Sequence, residues 1–224
     1  IYSFAGSAAK AVDEARRRTA ALIGAQPNEI YFTAGGSESD NWAVKAAAEA
    51  SERKGKHIIT SKIEHHAVLH TCQYLEKHGY EVTYVPVDEN GVVKLDELEA
   101  AIRPDTTLIS IMAANNEIGT IQPLKEIGAL ASKNGILFHT DAVQAYGHIP
   151  LDVETLHIDL LSASSHKFHG PKGVGFLYIR KGVRMGSFLH GGAQERARRA
   201  GTHNTPGIVG MGAAAARAAA QMEE

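Results

Sequence analysis

The chain has 224 residues, 44% of them hydrophobic, with 22 glycines and a formal net charge of −2. That length supports one sizeable core, and the near-neutral balance gives no electrostatic case for nucleic acid or an anionic membrane surface as a partner. A single cysteine, Cys72, excludes an internal disulfide, and no apolar run reaches transmembrane length, so the expectation is a cytoplasmic protein in a reducing compartment.

In chain order, residues 8–23 read as a helix and 29–33 as a strand. Ala34-Gly35-Gly36-Ser37 then forms a tight loop before a helix over 38–53, whose apolar residues include Trp42, Ala43, Ala46 and Ala47. Glycines there let the backbone approach an anion, and the first helical turn offers unpaired amides and the positive end of the dipole. An ordinary N-cap without a ligand is the competing reading. Further strands are predicted at 57–61, 81–85, 107–112 and 136–140, and helices at 67–78, 95–102 and 124–133. This alternation argues an α/β fold: a mainly parallel sheet with helices on both faces. Residues 158–163 and 174–179 read as two more buried strands, and a helix-like Ala-rich stretch begins at 207.

The chemistry sits at strand ends. The run 135–144 closes on Asp141, and in open α/β sheets ligands collect beyond the carboxyl ends of strands. Lys167 falls on the loop between 158–163 and 174–179, flanked by His166 and Phe168. An amine held there can be partly desolvated, which lowers its pKa and makes it a nucleophile toward carbonyls; the alternative is a loop lysine that reaches water. A lysine able to form a Schiff base, with an acid able to pair with a pyridine nitrogen, is the constellation of pyridoxal phosphate (PLP) enzymes. His65 reads either as a site residue or as a helix cap. His66 and His70 share a helical face, but no acidic or cysteine cluster completes a metal site, so no metal is expected. Cys72 lies in an amphipathic helical pattern, where the usual cysteine is a small buried hydrophobe.

Six ordered motifs carry a family resemblance: Gly35-Gly36-Ser37-Glu38-Ser39-Asp40-Asn41, Glu64-His65-His66-Ala67-Val68, Asn115-Asn116-Glu117-Ile118-Gly119, His139-Thr140-Asp141-Ala142-Val143-Gln144, Ser164-Ser165-His166-Lys167 and Arg199-Ala200-Gly201-Thr202. The sequence resembles cysteine desulfurases of the NifS/IscS type, class V aminotransferases of PLP fold type I. Gly170-Pro171-Lys172-Gly173 and the Asn-Asn-Glu-Ile-Gly motif favour that group over the SufS-like one.

The resemblance implies that Lys167 holds PLP as a Schiff base and then serves as the base, that Asp141 pairs with the pyridine nitrogen, and that Gln144 bonds the phenolic oxygen. It implies Asn116 near that oxygen and the substrate carboxylate, and His65 stacked on the ring and able to move protons. Gly36, Ser37, Ser164 and His166 would hold the phosphate, and Thr202 would reach the phosphate of a partner subunit in a homodimer. The implied substrate is L-cysteine, converted to alanine with the sulfur passed to an acceptor or scaffold protein for iron–sulfur cluster or thio-cofactor assembly. Residues 1–224 are expected to form the PLP-binding large domain, truncated at both ends relative to the family. The family's mobile-loop cysteine and its carboxylate-gripping arginine have no counterpart, and Cys72 does not match the nucleophile motif. The isolated chain is therefore expected to be inactive in desulfuration. Two alternatives stand: another class V enzyme, such as a small-amino-acid aminotransferase or lyase, and an inactive fragment serving as a dimerisation module.

Overall fold

Short β-rich runs, most of them buried along their whole length, build the sheet. In the computed structural model, which describes residues 3–222, helix α1 (Ser3–Ala21) precedes β1 (Ile30–Thr33), α2 (Gly36–Ala50), β2 (His57–Ser61), α3 (His66–Glu76) and β3 (Glu81–Val85). The chain continues through α4 (Leu95–Ala100), β4 (Thr106–Ser110), α5 (Leu124–Lys133), β5 (Leu137–Asp141), β6 (Leu160–Ser164), β7 (Gly175–Ile179), α6 (Gln194–Ala197) and α7 (Thr205–Met222). The seven strands lie in the order β1-β7-β6-β5-β4-β2-β3. Only β7 runs against its neighbours, pairing antiparallel with both β1 and β6, while the pairings from β6 across to β3 are parallel.

Adjacent strand residues point to opposite faces, and both faces are apolar. Ile58, Leu108, Leu160 and Leu177 join Trp42, Ala43, Val44 and Val68 under α2 and α3. Ile59, Ile109, Leu161, Phe176 and Tyr178 join Val12, Leu98, Ile127 and Met211 under α1, α4, α5 and α7. Small residues bring α1 and α7 together: a Cβ at Gly212 would come within 2.5 Å of Ala15 Cα. At the open edge, β3 begins on exposed Glu81, a charge that discourages further strand pairing.

The expected mainly parallel α/β architecture is observed. The predicted strand 107–112 is shifted: β4 ends at Ser110, and Ile111 and Ala113 donate instead to the carbonyls of His139 and Asp141, carrying the chain across the end of β5. The helix predicted at 8–23 begins at Ser3 and ends at Ala21. The segment around α6 follows no helical pattern, since Glu195, Arg196 and Ala197 all have positive φ (45°, 57° and 61°).

Candidate functional site

At the carboxyl ends of β5 and β6 lies a cleft of about 260 Å³, formed where the segments after β1, β2, β4, β5 and β6 meet. Most of the expected residues are brought together here: Gly36, Ser37, His65, Asn116, Asp141, Gln144, Ser164, His166 and Lys167 all line it. Thr202 is not among them; it lies exposed in the loop before α7.

The first wall is the start of α2. Its N-cap, Gly35, has φ 150° and no capping side chain, so the first-turn amides face the cleft rather than a serine or aspartate oxygen. Gly36 sits so close to the segment after β5 that a Cβ there would meet Val143 Cγ2 at 2.5 Å. The acid of that first turn, Glu38, is held aside by Arg199, whose Nε donates to Oε1 at 2.7 Å. Backbone amides, the Ser37 hydroxyl and a balanced Glu38 are a donor set suited to a phosphate.

The second wall carries the lysine. After β6 the chain makes one 3-10 turn over Ser165–Phe168, which turns Phe168 into the core against Tyr146 (ring centroids 4.7 Å) and leaves His166 and Lys167 exposed. Phe168 is the anchor of this turn. The turn is pinned by His148, whose Nε2 lies 2.8 Å from the Lys167 carbonyl oxygen, and by Gly170, whose N–H donates to the Ser165 carbonyl at 2.9 Å. His166 Nδ1 and Ser164 Oγ are 2.9 Å apart. The sequence left two readings open for Lys167, a partly desolvated amine or a loop lysine that reaches water, and the structure shows the second: the turn buries Phe168 and so presents the lysine to solvent at the rim.

The floor is acidic and buried. Asp141 ends β5, is 4% exposed, and accepts a hydrogen bond from the Val143 N–H at 2.9 Å. Burial raises its carboxyl above the usual range, and the Val143 bond works the other way. His65 serves as N-cap of α3, its Nδ1 accepting from the Ala67 N–H at 3.1 Å, and still lines the cleft, so capping and site roles coincide. Asn115 shapes the loop after β4: its Oδ1 accepts from the N–H groups of Glu117 and Ile118, and its Nδ2 donates to the Ile63 carbonyl. Asn116 is thereby turned outward into the cleft.

Sequence reasoning missed Asp40 and Glu64. Asp40 is 1% exposed, lines the cleft, and leaves Oδ1 without a hydrogen-bond partner. Glu64 is buried beside it; Oε1 accepts from Ser61 Oγ (2.6 Å) and the Met112 N–H (3.0 Å), tying the end of β2 to the segment after β4. Burial pushes its carboxyl up to about 8. The available signal was periodicity: Asp40 falls on the same helical stripe as Ala43, Val44 and Ala47, an acid where the pattern calls for an apolar residue. Asp40, His65 and Asp141 each bring one polar atom within 4.8 Å of the others.

Cys72 is fully buried between α3 and α2, and burial, with the Glu64 charge, pushes its thiol up to about 12. Iodoacetamide is accordingly expected to label it at least about a hundredfold more slowly in the folded chain than after denaturation, read by peptide mass spectrometry. Labelling at the rate of an unfolded thiol would show that the helix pair opens.

The described helices include none long and apolar enough to cross a membrane. A cysteine desulfurase IscS from Methanosarcina thermophila is 64% identical over 224 residues, all of this chain and 55% of that protein. A solved NifS-like protein superposes with TM-score 0.96 at 48% identity over 100% of this chain and 62% of its own. A structure described as SspA in complex with cysteine gives 0.93 at 45% identity over 96% of this chain and 62% of that one. The chain thus spans about half the length of the curated relatives it matches. The pattern described as Aminotransferase class-V matches residues 1–223, and the chain belongs to that family.

Proposed function

We propose that this chain is the cofactor-binding large domain of a PLP-dependent cysteine desulfurase acting on L-cysteine. The observation that supports it most is the convergence of Lys167, Asp141 and His65 on one cleft whose opposite wall is the open N-terminus of α2. The relatives' names point the same way, and the SspA structure was obtained with cysteine.

The donor set fits PLP. Gly36, Ser37, Ser164 and His166 would hold the phosphate, Gln144 the phenolic oxygen, and Asp141 the ring nitrogen. When bound, PLP supplies an electron-withdrawing ring that lets a proton leave the substrate Cα. Lys167 would anchor the cofactor, and its Nζ would take that proton. His65, on the cleft wall at the N-cap of α3, would lie against the cofactor and offer a ring nitrogen for a further proton transfer. Asn116 orients the substrate carboxylate. Each task belongs to a residue whose backbone is fixed by buried contacts, which is what precise positioning requires.

Sulfur transfer needs a thiol that can reach the substrate, and Cys72, sealed in the core, does not supply one. The accepting thiol and the onward acceptor or scaffold protein therefore lie outside these residues. Thr202, exposed and away from its own cleft, suits a contact across a two-fold homodimer.

The test is a cofactor spectrum of the purified chain titrated with PLP, followed by L-cysteine. A new visible band that cysteine then perturbs is the expected result. A chain that never acquires the band would overturn the reading, and release of a keto acid would assign it to aminotransfer instead.

A further inference from the structure

Asp40 has no task in that reading, yet its setting is unusual. It stands one turn into α2, out of water, on the wall of the same cleft as Asp141. His139 Nε2 is 3.7 Å from its Oδ1. That contact is not an ion pair, because burial pushes the imidazole down to about 3 and leaves it neutral, spanning Ser110 Oγ and Ser162 Oγ at 2.8 and 2.9 Å.

The titratable groups that face Asp40 are Asp141 and His139 of β5, His65 at the N-cap of α3, and Glu64 in the loop before it, while Lys167 of the same cleft stands exposed at its rim. Elsewhere on the elements packed against α2 lie His66, His70, Cys72, Tyr74 and Glu76 of α3, Tyr31 of β1 and Tyr178 of β7. Two carboxylates within 4.8 Å, both screened from water, cannot both stay charged without strong mutual repulsion, and one proton removes it. The surroundings of the two acids differ. Asp141 accepts the Val143 N–H, which favours its charged form; the Ser162 hydroxyl works the same way on Asp40, but it is shared with His139 Nε2, and Asp40 Oδ1 accepts nothing. Burial and the Asp141 charge push the Asp40 carboxyl the other way, well above its usual range.

We propose that Asp40 is a positioning residue that holds a single proton on behalf of the Asp40–Asp141 pair, so that the floor of the cleft presents one negative charge, at Asp141, to one protonated ring nitrogen. This rests on the reading that the cleft holds PLP, but the proton itself is a property of the chain without cofactor.

The experiment compares wild type, Asp40→Asn, Asp40→Ser and Asp141→Asn. The sign is fixed by linkage: a carboxyl whose folded pKa is raised contributes stability that is fully present below its unfolded pKa and is lost as pH rises through the folded one. In the cofactor-free chain, the stability advantage of Asp40→Asn over wild type should therefore widen from about pH 5 to about pH 8.5. The infrared difference spectrum, wild type minus Asp40→Asn, should contain a neutral-carboxyl band at neutral pH. With PLP added, Asp40→Asn mimics the protonated acid and should bind within about threefold of wild type, while Asp141→Asn should lose more than about tenfold. Should Asp40→Asn not fold, Asp40→Ser carries the same comparisons. A pH-independent stability gap, a missing neutral-carboxyl band, or a PLP loss in Asp40→Asn equal to that in Asp141→Asn overturns the proposal. Failure of wild type to bind PLP would instead defeat the cofactor reading, with the pH and infrared results still deciding the proton.

Discussion

Lys167→Ala is expected to abolish borohydride-trapped attachment of PLP to the chain, whereas Lys172→Ala leaves it intact. Both lysines are exposed and only a few residues apart, so reactivity toward a free aldehyde would not separate them. Position does: Lys167 lines the cleft with Asp141 opposite, while Lys172 flanks the shallower groove on the far side of the α2 N-terminus. The same substitution removes the base, so exchange of the cysteine Cα hydrogen in deuterated water, which needs no acceptor thiol, should fall by about 10²–10⁴-fold or more. Peptide mapping after reduction reads the first effect and proton NMR the second. Trapped cofactor on Lys172 in the wild-type chain would move the anchor and with it the assignment of the cleft.

The largest effect on stability is expected at Glu195. Its carboxylate accepts from Arg16 Nη1 and Nη2 (2.8 and 2.7 Å) and from the Phe32 N–H (2.8 Å), and lies 2.7 Å from His203 Nε2. Glu195 and Arg16 are 4% and 8% exposed. Burial works to raise this carboxyl, but the Arg16 guanidinium and the Phe32 amide outweigh it and hold it below the usual range. Such a pair is weak evidence of net stabilisation when compared with an apolar replacement, but breaking it leaves a buried guanidinium uncompensated. Glu195→Ala should therefore destabilise the chain by about 3–5 kcal/mol, measured by urea unfolding at neutral pH. Because the folded pKa is depressed, the contribution is present above the unfolded carboxylate range and is lost as pH falls through the folded value. The wild-type–variant gap should shrink in acid. A loss of a few tenths of a kcal/mol would mean that the segment around α6 is held by something other than this carboxylate.

How much of this was legible depended on whether a residue's environment is set locally. The strands were, because runs such as Ile58-Ile59 and Leu160-Leu161 satisfy both faces of a covered sheet whatever their neighbours do. Asp141 was, because it closes an apolar strand. For Lys167 the sequence left burial and exposure both open, because the choice turns on Phe168 taking the inward position of the turn. Asp40 and Glu64 were harder to read: acids in or before a helix ordinarily face water, and the place of Asp40 on the apolar stripe of α2 was the one local sign that it does not. Nothing local predicts three successive positive φ values at 195–197. They fall where the Glu195 carboxylate meets partners on α1 and β1 from far along the chain.

The pairing of β1 with β7 has a consequence for how the molecule comes to exist. β1 holds the Gly35-Gly36 loop in place, and its strand neighbour among the described residues is β7, made from residues far along the chain. Closing so long a loop is entropically slow, and contacts of high sequence separation delay folding. The phosphate wall of the cleft is therefore assembled late, after β2, β4, β5 and β6 have aligned in parallel. PLP should accordingly leave the early refolding phases unchanged and slow the first step of unfolding, the loss of that wall, acting as a lock on a finished sheet rather than as a seed for it.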